Sequence, residues 1–185
     1  IYKRKVDSVI RIVYTGTFYK SAFTDEFKSA LKQIQKTPFF DTIEFTFVLS
    51  QYEESSIKWI KEILPNVKLK YKLDRSEVLS LIKKSDLMLV VDAETHTELL
   101  KGKLVEAISY GIPVFAITFK QSVMDSVVSE YGCYSSYQNV NYDIFFKLIK
   151  MIEDLDNEVW LSEFYNKREK VIYKFSEESI LNATY

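Results

Sequence analysis

The chain has 185 residues, 47% of them apolar and 28% charged, with 25 Lys and Arg against 26 Asp and Glu for a net charge of -1. That length and composition suit one globular domain with a substantial core, and the balanced charge excludes the basic surface on which nonspecific binding to nucleic acid or anionic lipid depends. A single cysteine, Cys133, excludes an intramolecular disulfide and suits a reducing compartment; with one histidine, no Cys/His cluster has metal-ligand spacing. No run reaches the roughly 18 apolar residues of a membrane helix, and IYKRKVDSV lacks the apolar core of a signal peptide. The start has no Met, from which we expect a fragment or an excised domain.

In chain order, Val9 to Tyr14 reads as a buried strand ending in Thr15-Gly16-Thr17. Phe23, Phe27, Ala30, Leu31 and Ile34 then recur at helical spacing before Pro38. Thr42 to Leu49 is a second strand, followed by a helix carrying Ile57, Ile60, Ile63 and Leu64 that Pro65-Asn66 stops. Val67 to Leu73 alternates, which predicts a strand nearer the sheet edge with one wetter face. Asp74-Arg75-Ser76-Glu77 fits a capping box and starts a helix with Val78, Leu81 and Ile82 inward. Leu87 to Val91 is a buried strand; a polar loop with Asp92, Glu94, His96, Thr97 and Glu98 follows, then a helix from about Gly102 to Tyr110, then Gly111-Ile112-Pro113 and a buried strand, Val114 to Thr118. Ser122 to Tyr131 is a further helix closed by Gly132, Cys133 to Tyr137 a short last strand, and Asn141 to Leu155 an amphipathic helix capped by Asn141. Glu158 to Lys174 is another helix, and the tail FSEESILNATY adds one more turn or helix.

Uninterrupted apolar runs separated by helices are the mark of parallel strands covered on both faces. The alternation therefore predicts an α/β fold: a doubly wound, Rossmann-like parallel sheet in three αβα layers, with extra C-terminal helices and no repeat or linker that would divide residues 1–185. Ligands in such sheets bind at the carboxyl edge. The turn YTGTFYKSAF has one glycine where a dinucleotide fingerprint needs three, and no GxxxxGK[ST] phosphate loop occurs. A receiver domain would need paired acids at Thr15 to Lys20, where none stand.

At Glu98 and Glu106, in ELLKGKLVE, the sequence resembles the retaining glycosyltransferases of the large group 1 family with the two-domain GT-B fold, whose C-terminal domain carries an E-x7-E motif. SDLMLVVDA before it, KGKLVEAISYGIPVFAI across and after it, YTGTFYKSAFTDEFKSAL near the start and YKFSEESI near the end are similar to that family too, from about Val9 to Ile180. The resemblance implies a donor-binding domain for a nucleoside-diphosphate sugar (UDP, GDP or another base), with metal-independent transfer and retention and no further cofactor. Glu106 would take the ribose diol, as carboxylates accept two hydroxyl hydrogen bonds at once. Glu98 would face the transferred sugar. Free amides at Lys101 to Leu104, the positive pole of the helix and the open Gly102 suit the diphosphate, with Lys103, Lys101 and Lys20 as counter-charges and Gly16 and Thr17 in the turn beside it. The family's turn after the first strand usually supplies an Arg and a Lys; here Lys20 is the only base in GTFYKSAF.

The resemblance further implies a hexosyltransferase whose acceptor-binding domain lies N-terminal to this one, so that the isolated chain would transfer little. A cytoplasmic protein, or one peripheral to the inner face of the membrane, acting in capsule, lipopolysaccharide or other bacterial surface polysaccharide synthesis would follow. Each assignment has a plainer competitor: Glu106, Glu98, Lys103 and Lys20 as solvated surface, His96 as incidental, Asp86 as a tether at a helix–strand junction, Cys133 as a core residue, and Ile144, Leu148, Met151 and Ile152 as core or an interdomain face. Two other functions stand beside it: a nucleoside deoxyribosyltransferase-like enzyme with a glutamate nucleophile, which fits the central stretch alone, and a non-catalytic α/β interaction domain with a decayed site, which fits the missing Arg.

Overall fold

The computed structural model describes residues 9–18, 24–92, 100–137 and 143–174. The elements run β1 (Ile10–Phe18), α1 (Asp25–Ile34), β2 (Ile43–Tyr52), α2 (Glu54–Ile63), β3 (Lys68–Tyr71), α3 (Arg75–Lys83), β4 (Leu87–Val91), α4 (Gly102–Tyr110), β5 (Val114–Thr118), α5 (Val123–Glu130), β6 (Tyr134–Tyr137), α6 (Asp143–Asp154) and α7 (Glu158–Lys174). The six strands form one parallel sheet in the order β3-β2-β1-β4-β5-β6, with helices on both faces: the doubly wound, Rossmann-like α/β architecture. The order reverses between β1 and β4, which opens a crevice at the carboxyl edge there. Central β4 and β5 are buried almost throughout, whereas β3, at the edge, buries only Leu69 in part.

Local chemistry accounts for the element boundaries. Thr24 caps α1 by accepting from the Phe27 amide at 3.4 Å, and Phe27, Ala30, Leu31 and Ile34 form its buried stripe. Both halves of the Asp74 capping box are present: the Glu77 amide donates to Asp74 Oδ1 at 2.9 Å, and the Asp74 amide to Glu77 Oε2 at 3.0 Å. Ser122 caps α5, its hydroxyl accepting from the Asp125 amide at 3.0 Å. Asp86 tethers the α3–β4 junction to β1: its carboxylate accepts from the Arg11 amide at 2.7 Å and faces the Arg11 guanidinium at 3.7 Å. Cys133 is buried, its sulfur accepting from the Val114 amide at 3.2 Å, and Ile144, Leu148, Met151 and Ile152 belong to the core.

Strand β1 is longer than the sequence suggests. It continues through Gly16, whose φ of +134° only glycine adopts readily, and its pairing with β2 shifts register between Gly16 and Phe18. Fully buried Phe18 explains the extension: its ring lies 5.6 Å from both Phe47 and Trp59, so the strand ends only after that anchor. Strand β2 likewise runs on to Tyr52, paired with Phe18. The Asn141 cap and the FSEESILNATY tail lie outside the described residues.

Helix α7 locks the C-terminal half. Phe164 is 1% exposed and sits 4.7 Å from the Tyr131 ring and 5.4 Å from Trp160, in parallel stacking with the latter. Arg168 donates to the Ile108 and Ser109 carbonyls at 3.0 and 2.9 Å, satisfying the end of α4 where Gly111 turns the chain at a φ of +70°. Phe164→Ala is therefore expected to lower the free energy of unfolding by about 3–5 kcal/mol, as other large-to-small core changes do. A urea titration of both proteins checks this; a loss below about 1 kcal/mol would mean that α7 does not hold the core.

Candidate functional site

At the carboxyl edge, a cleft of about 560 Å³ is lined by the ends of β1 (Thr15, Gly16) and β2 (Val48, Leu49, Ser50), the turn after β3 (Lys72, Leu73), Val78 of α3, and Gly102, Lys103 and Glu106 of α4. One wall is apolar; the other is the start of a helix. Of the residues the sequence singles out, the structure brings together Gly16, Gly102, Lys103 and Glu106. Thr17 stands at the rim, its hydroxyl 3.2 Å from that of Ser50, while its carbonyl accepts from the Tyr14 hydroxyl at 2.6 Å. Glu98 and Lys20 lie outside the described residues, as do Glu94, His96 and Thr97.

Helix α4 begins unusually. Lys101 is its N-cap, with extended backbone and no side-chain capping bond, and its first turn holds no acid. Each of the other six α-helices carries an acidic residue there: Asp25 and Glu26, Glu54, Glu77, Asp125, Asp143 and Glu158. A helix N-terminus is the positive end of the backbone dipole, so acids stabilise it and cations do not. Here Lys101 and Lys103 stand at that end, which adds positive charge to positive charge.

Each lysine is held separately. Lys103 is half-buried, its Nζ 5.3 Å from the centre of the Tyr14 ring and pressed onto Gly16, where a Cβ would overlap it. Burial pushes its pKa below the usual 10.5; the Glu106 charge opposes that shift and the Lys101 charge adds to it. Lys101 does not line the cleft: its Nζ is 3.2 Å from Oδ1 of Asp92, a carboxylate with no solvent exposure that also accepts from the Thr118 hydroxyl at 3.2 Å.

The amides at the helix start differ from the sequence expectation at one point. The Leu104 amide donates to the Lys101 carbonyl at 2.9 Å, because the first turn closes tightly, and the Leu104 side chain is fully buried. Leu104 therefore packs the helix on the sheet and offers no free donor. Apart from its own turn of helix, no described atom comes within 4 Å of where a Cβ on Gly102 would stand, so no packing contact among the described residues requires glycine there.

One residue beside the cleft escapes the sequence reading, and another is read there only as part of a polar loop. Arg75, the first residue of α3, reaches across the mouth of the cleft and places Nη2 3.3 Å from Glu106 Oε1. Its only sequence signal is a cation directly after a capping Asp, where the helix dipole disfavours it. Buried Asp92 is the other; its partners are contributed by residues 9 and 26 positions away, a spacing no periodicity marks. Among the described residues no group of three His, Cys, Asp or Glu is placed to hold a metal ion, and no helix is long and apolar enough to cross a membrane.

No family model and no curated protein matches the chain in sequence. Solved structures do match in fold. An S. aureus TarM variant crystallised with fondaparinux, alpha-GlcNAc-glycerol and UDP superposes with a TM-score of 0.69 at 19% identity, over 97% of this chain and 35% of that one. WaaG, a glycosyltransferase involved in lipopolysaccharide biosynthesis, gives 0.69 at 16% identity over 92% and 44%. The C-terminal domain of LpcC from Francisella tularensis, a group 1 family glycosyl transferase, gives 0.63 at 15% identity over 90% of this chain and 85% of that domain. The chain thus spans about a third of the TarM structure's length but most of an isolated C-terminal domain. In its fold the chain matches the C-terminal domains of GT-B group 1 glycosyltransferases.

Proposed function

We propose that the chain is the donor-binding domain of a retaining, metal-independent GT-B glycosyltransferase of hexosyltransferase type, taking a nucleoside-diphosphate sugar in the cleft between α3 and α4. The observation that carries the reading is the start of α4: among the described residues, the one helix of seven without an acid in its first turn, with a half-buried lysine and an open glycine on the cleft wall. A diphosphate supplies the negative charge that this start lacks. Glu106, further along the same helix, then accepts from the ribose hydroxyls, and the apolar wall of Val48, Leu49, Leu73 and Val78 covers the base.

In this reading Glu98 orients the sugar being transferred, and Lys103 and Lys20 neutralise charge on the departing diphosphate, the group on which negative charge develops as the glycosidic bond breaks. Gly16 and Thr17 shape the turn beside it. The acceptor reaches the same face from an N-terminal domain, without which water has access to the reacting carbon and transfer is slow. Residues 1–185 form one such domain, in a cytoplasmic enzyme at or near the inner face of the membrane that serves capsule or other surface polysaccharide synthesis. TarM crystallised with UDP and WaaG's part in lipopolysaccharide biosynthesis support that assignment by analogy of fold.

Calorimetric titration with UDP, GDP and a free deoxynucleoside tests the proposal. Diphosphate-dependent binding is expected; hydrolysis of the nucleoside would favour a deoxyribosyltransferase-like enzyme, and silence with all three an interaction domain. Gly102→Ala separates ligand from fold: stability should hold or rise by about 0.4–1 kcal/mol. Affinity for the diphosphate should fall about tenfold, the equivalent of one charge-assisted hydrogen bond.

The lowered pKa of Lys103 fixes a sign. A bound diphosphate favours the ammonium, so binding takes up a proton once pH exceeds the depressed value, and affinity declines as pH rises through it, before 10.5 is reached. Kd measured from pH 7.5 upward should therefore climb more steeply for the native protein than for Lys103→Met, with the ligand's own ionisation cancelling between the two.

A further inference from the structure

We infer that Arg75 is a positioning residue for Glu106, holding the carboxylate across the cleft in the orientation that discriminates a ribose diol from a deoxyribose. The inference rests on the proposed nucleotide reading of the cleft. Its geometry stands on the contact between Arg75 Nη2 and Glu106 Oε1 at 3.3 Å, which joins the two helices that form the cleft walls, 31 residues apart in sequence.

Three observations converge on Arg75. It occupies the first position of α3, where a cation opposes the helix dipole, so its helix gains nothing from it. The start of α3 is already satisfied by Asp74 and Glu77, whose side chains are engaged with each other's amides, so Arg75 is not needed as a cap. The Arg75 side chain is 82% exposed, against 30% for Glu106, so it adds little packing. What remains is its bond to Glu106, the one carboxylate among the described residues that lines the cleft.

A carboxylate that must accept from two neighbouring hydroxyls needs its plane fixed, and one oxygen held by a guanidinium does that without blocking the other. Glu106 has Lys103 on the cleft floor and Arg75 at the mouth. The inner cation supports its charge, and the outer one sets its direction.

The test compares the native protein with Arg75→Ala and Arg75→Lys, using whichever of UDP and GDP binds and its 2′-deoxy counterpart. For Arg75→Ala the ribonucleotide should bind about three- to fivefold more weakly, the scale of one exposed ion pair, with the deoxynucleotide almost unchanged. Arg75→Lys should recover only part of the discrimination, because an ammonium lacks the planar fork. In a Glu106→Gln background the Arg75→Ala effect should vanish. An equal loss for both nucleotides would assign Arg75 to charge or structure and overturn the inference, as would unchanged discrimination. A native protein that binds neither nucleotide overturns the nucleotide reading itself, and the Arg75 role with it.

Discussion

The charge at the start of α4 is the constraint on which the carboxyl edge depends. Two lysines and the positive end of a helix repel one another, and only specific partners allow them to share one turn. Asp92 answers for Lys101, and it does so from full burial. An unpaired carboxylate in that position would cost several kcal/mol, so the pair is compulsory once β4 places Asp92 under the sheet's edge. Among the described residues Lys103 has no such ion pair; it has the Tyr14 ring, the bare Gly16 backbone and the more distant Glu106. The first lysine is therefore held in an ion pair, the second by a ring face and a backbone.

The same carboxylate couples neighbouring elements. The Asp92 amide donates to the Ile117 carbonyl at 2.8 Å, its side chain accepts from Thr118, and the Thr118 and Ser122 hydroxyls lie 2.7 Å apart. The ends of β4 and β5 and the starts of α4 and α5 thus meet in one buried polar network. Such networks are rigid when fully satisfied, because every member loses a bond if another moves.

The sequence discloses the centre of the fold nearly to the residue. Helix α4 and strand β5 begin and end where the apolar runs, Gly111 and Pro113 imply, because burial on both faces removes ambiguity. The Asp74 box and the Gly132 turn, at a φ of +80°, are equally legible, since each is written in adjacent residues. The ends of β1 and β2 are not: Phe18 extends β1 through contacts with Phe47 and Trp59, partners 29 and 41 positions away, and a glycine that looks like a turn is a bulge inside a strand. The site divides in the same manner. Gly16, Gly102, Lys103 and Glu106, which meet at the cleft, stand in local motifs; the pairings of Arg75 and Asp92 are with distant partners and leave no local mark. Leu104 shows the converse error, a donor counted as free that the helix's own first turn consumes.

The two cations beside Glu106 differ in a way that gives the cleft a direction. Arg75 lies in solvent, where its pair with Glu106 is screened by salt and worth at most about 1 kcal/mol. Lys103 lies against Tyr14 and Gly16, where water is scarce and its charge carries further. A polar group entering from the mouth passes the screened pair first, then meets the ammonium that the Tyr14 ring and the Gly16 backbone shield from water. Electrostatic contacts therefore strengthen inward, from the start of α3 to the floor between β1 and α4.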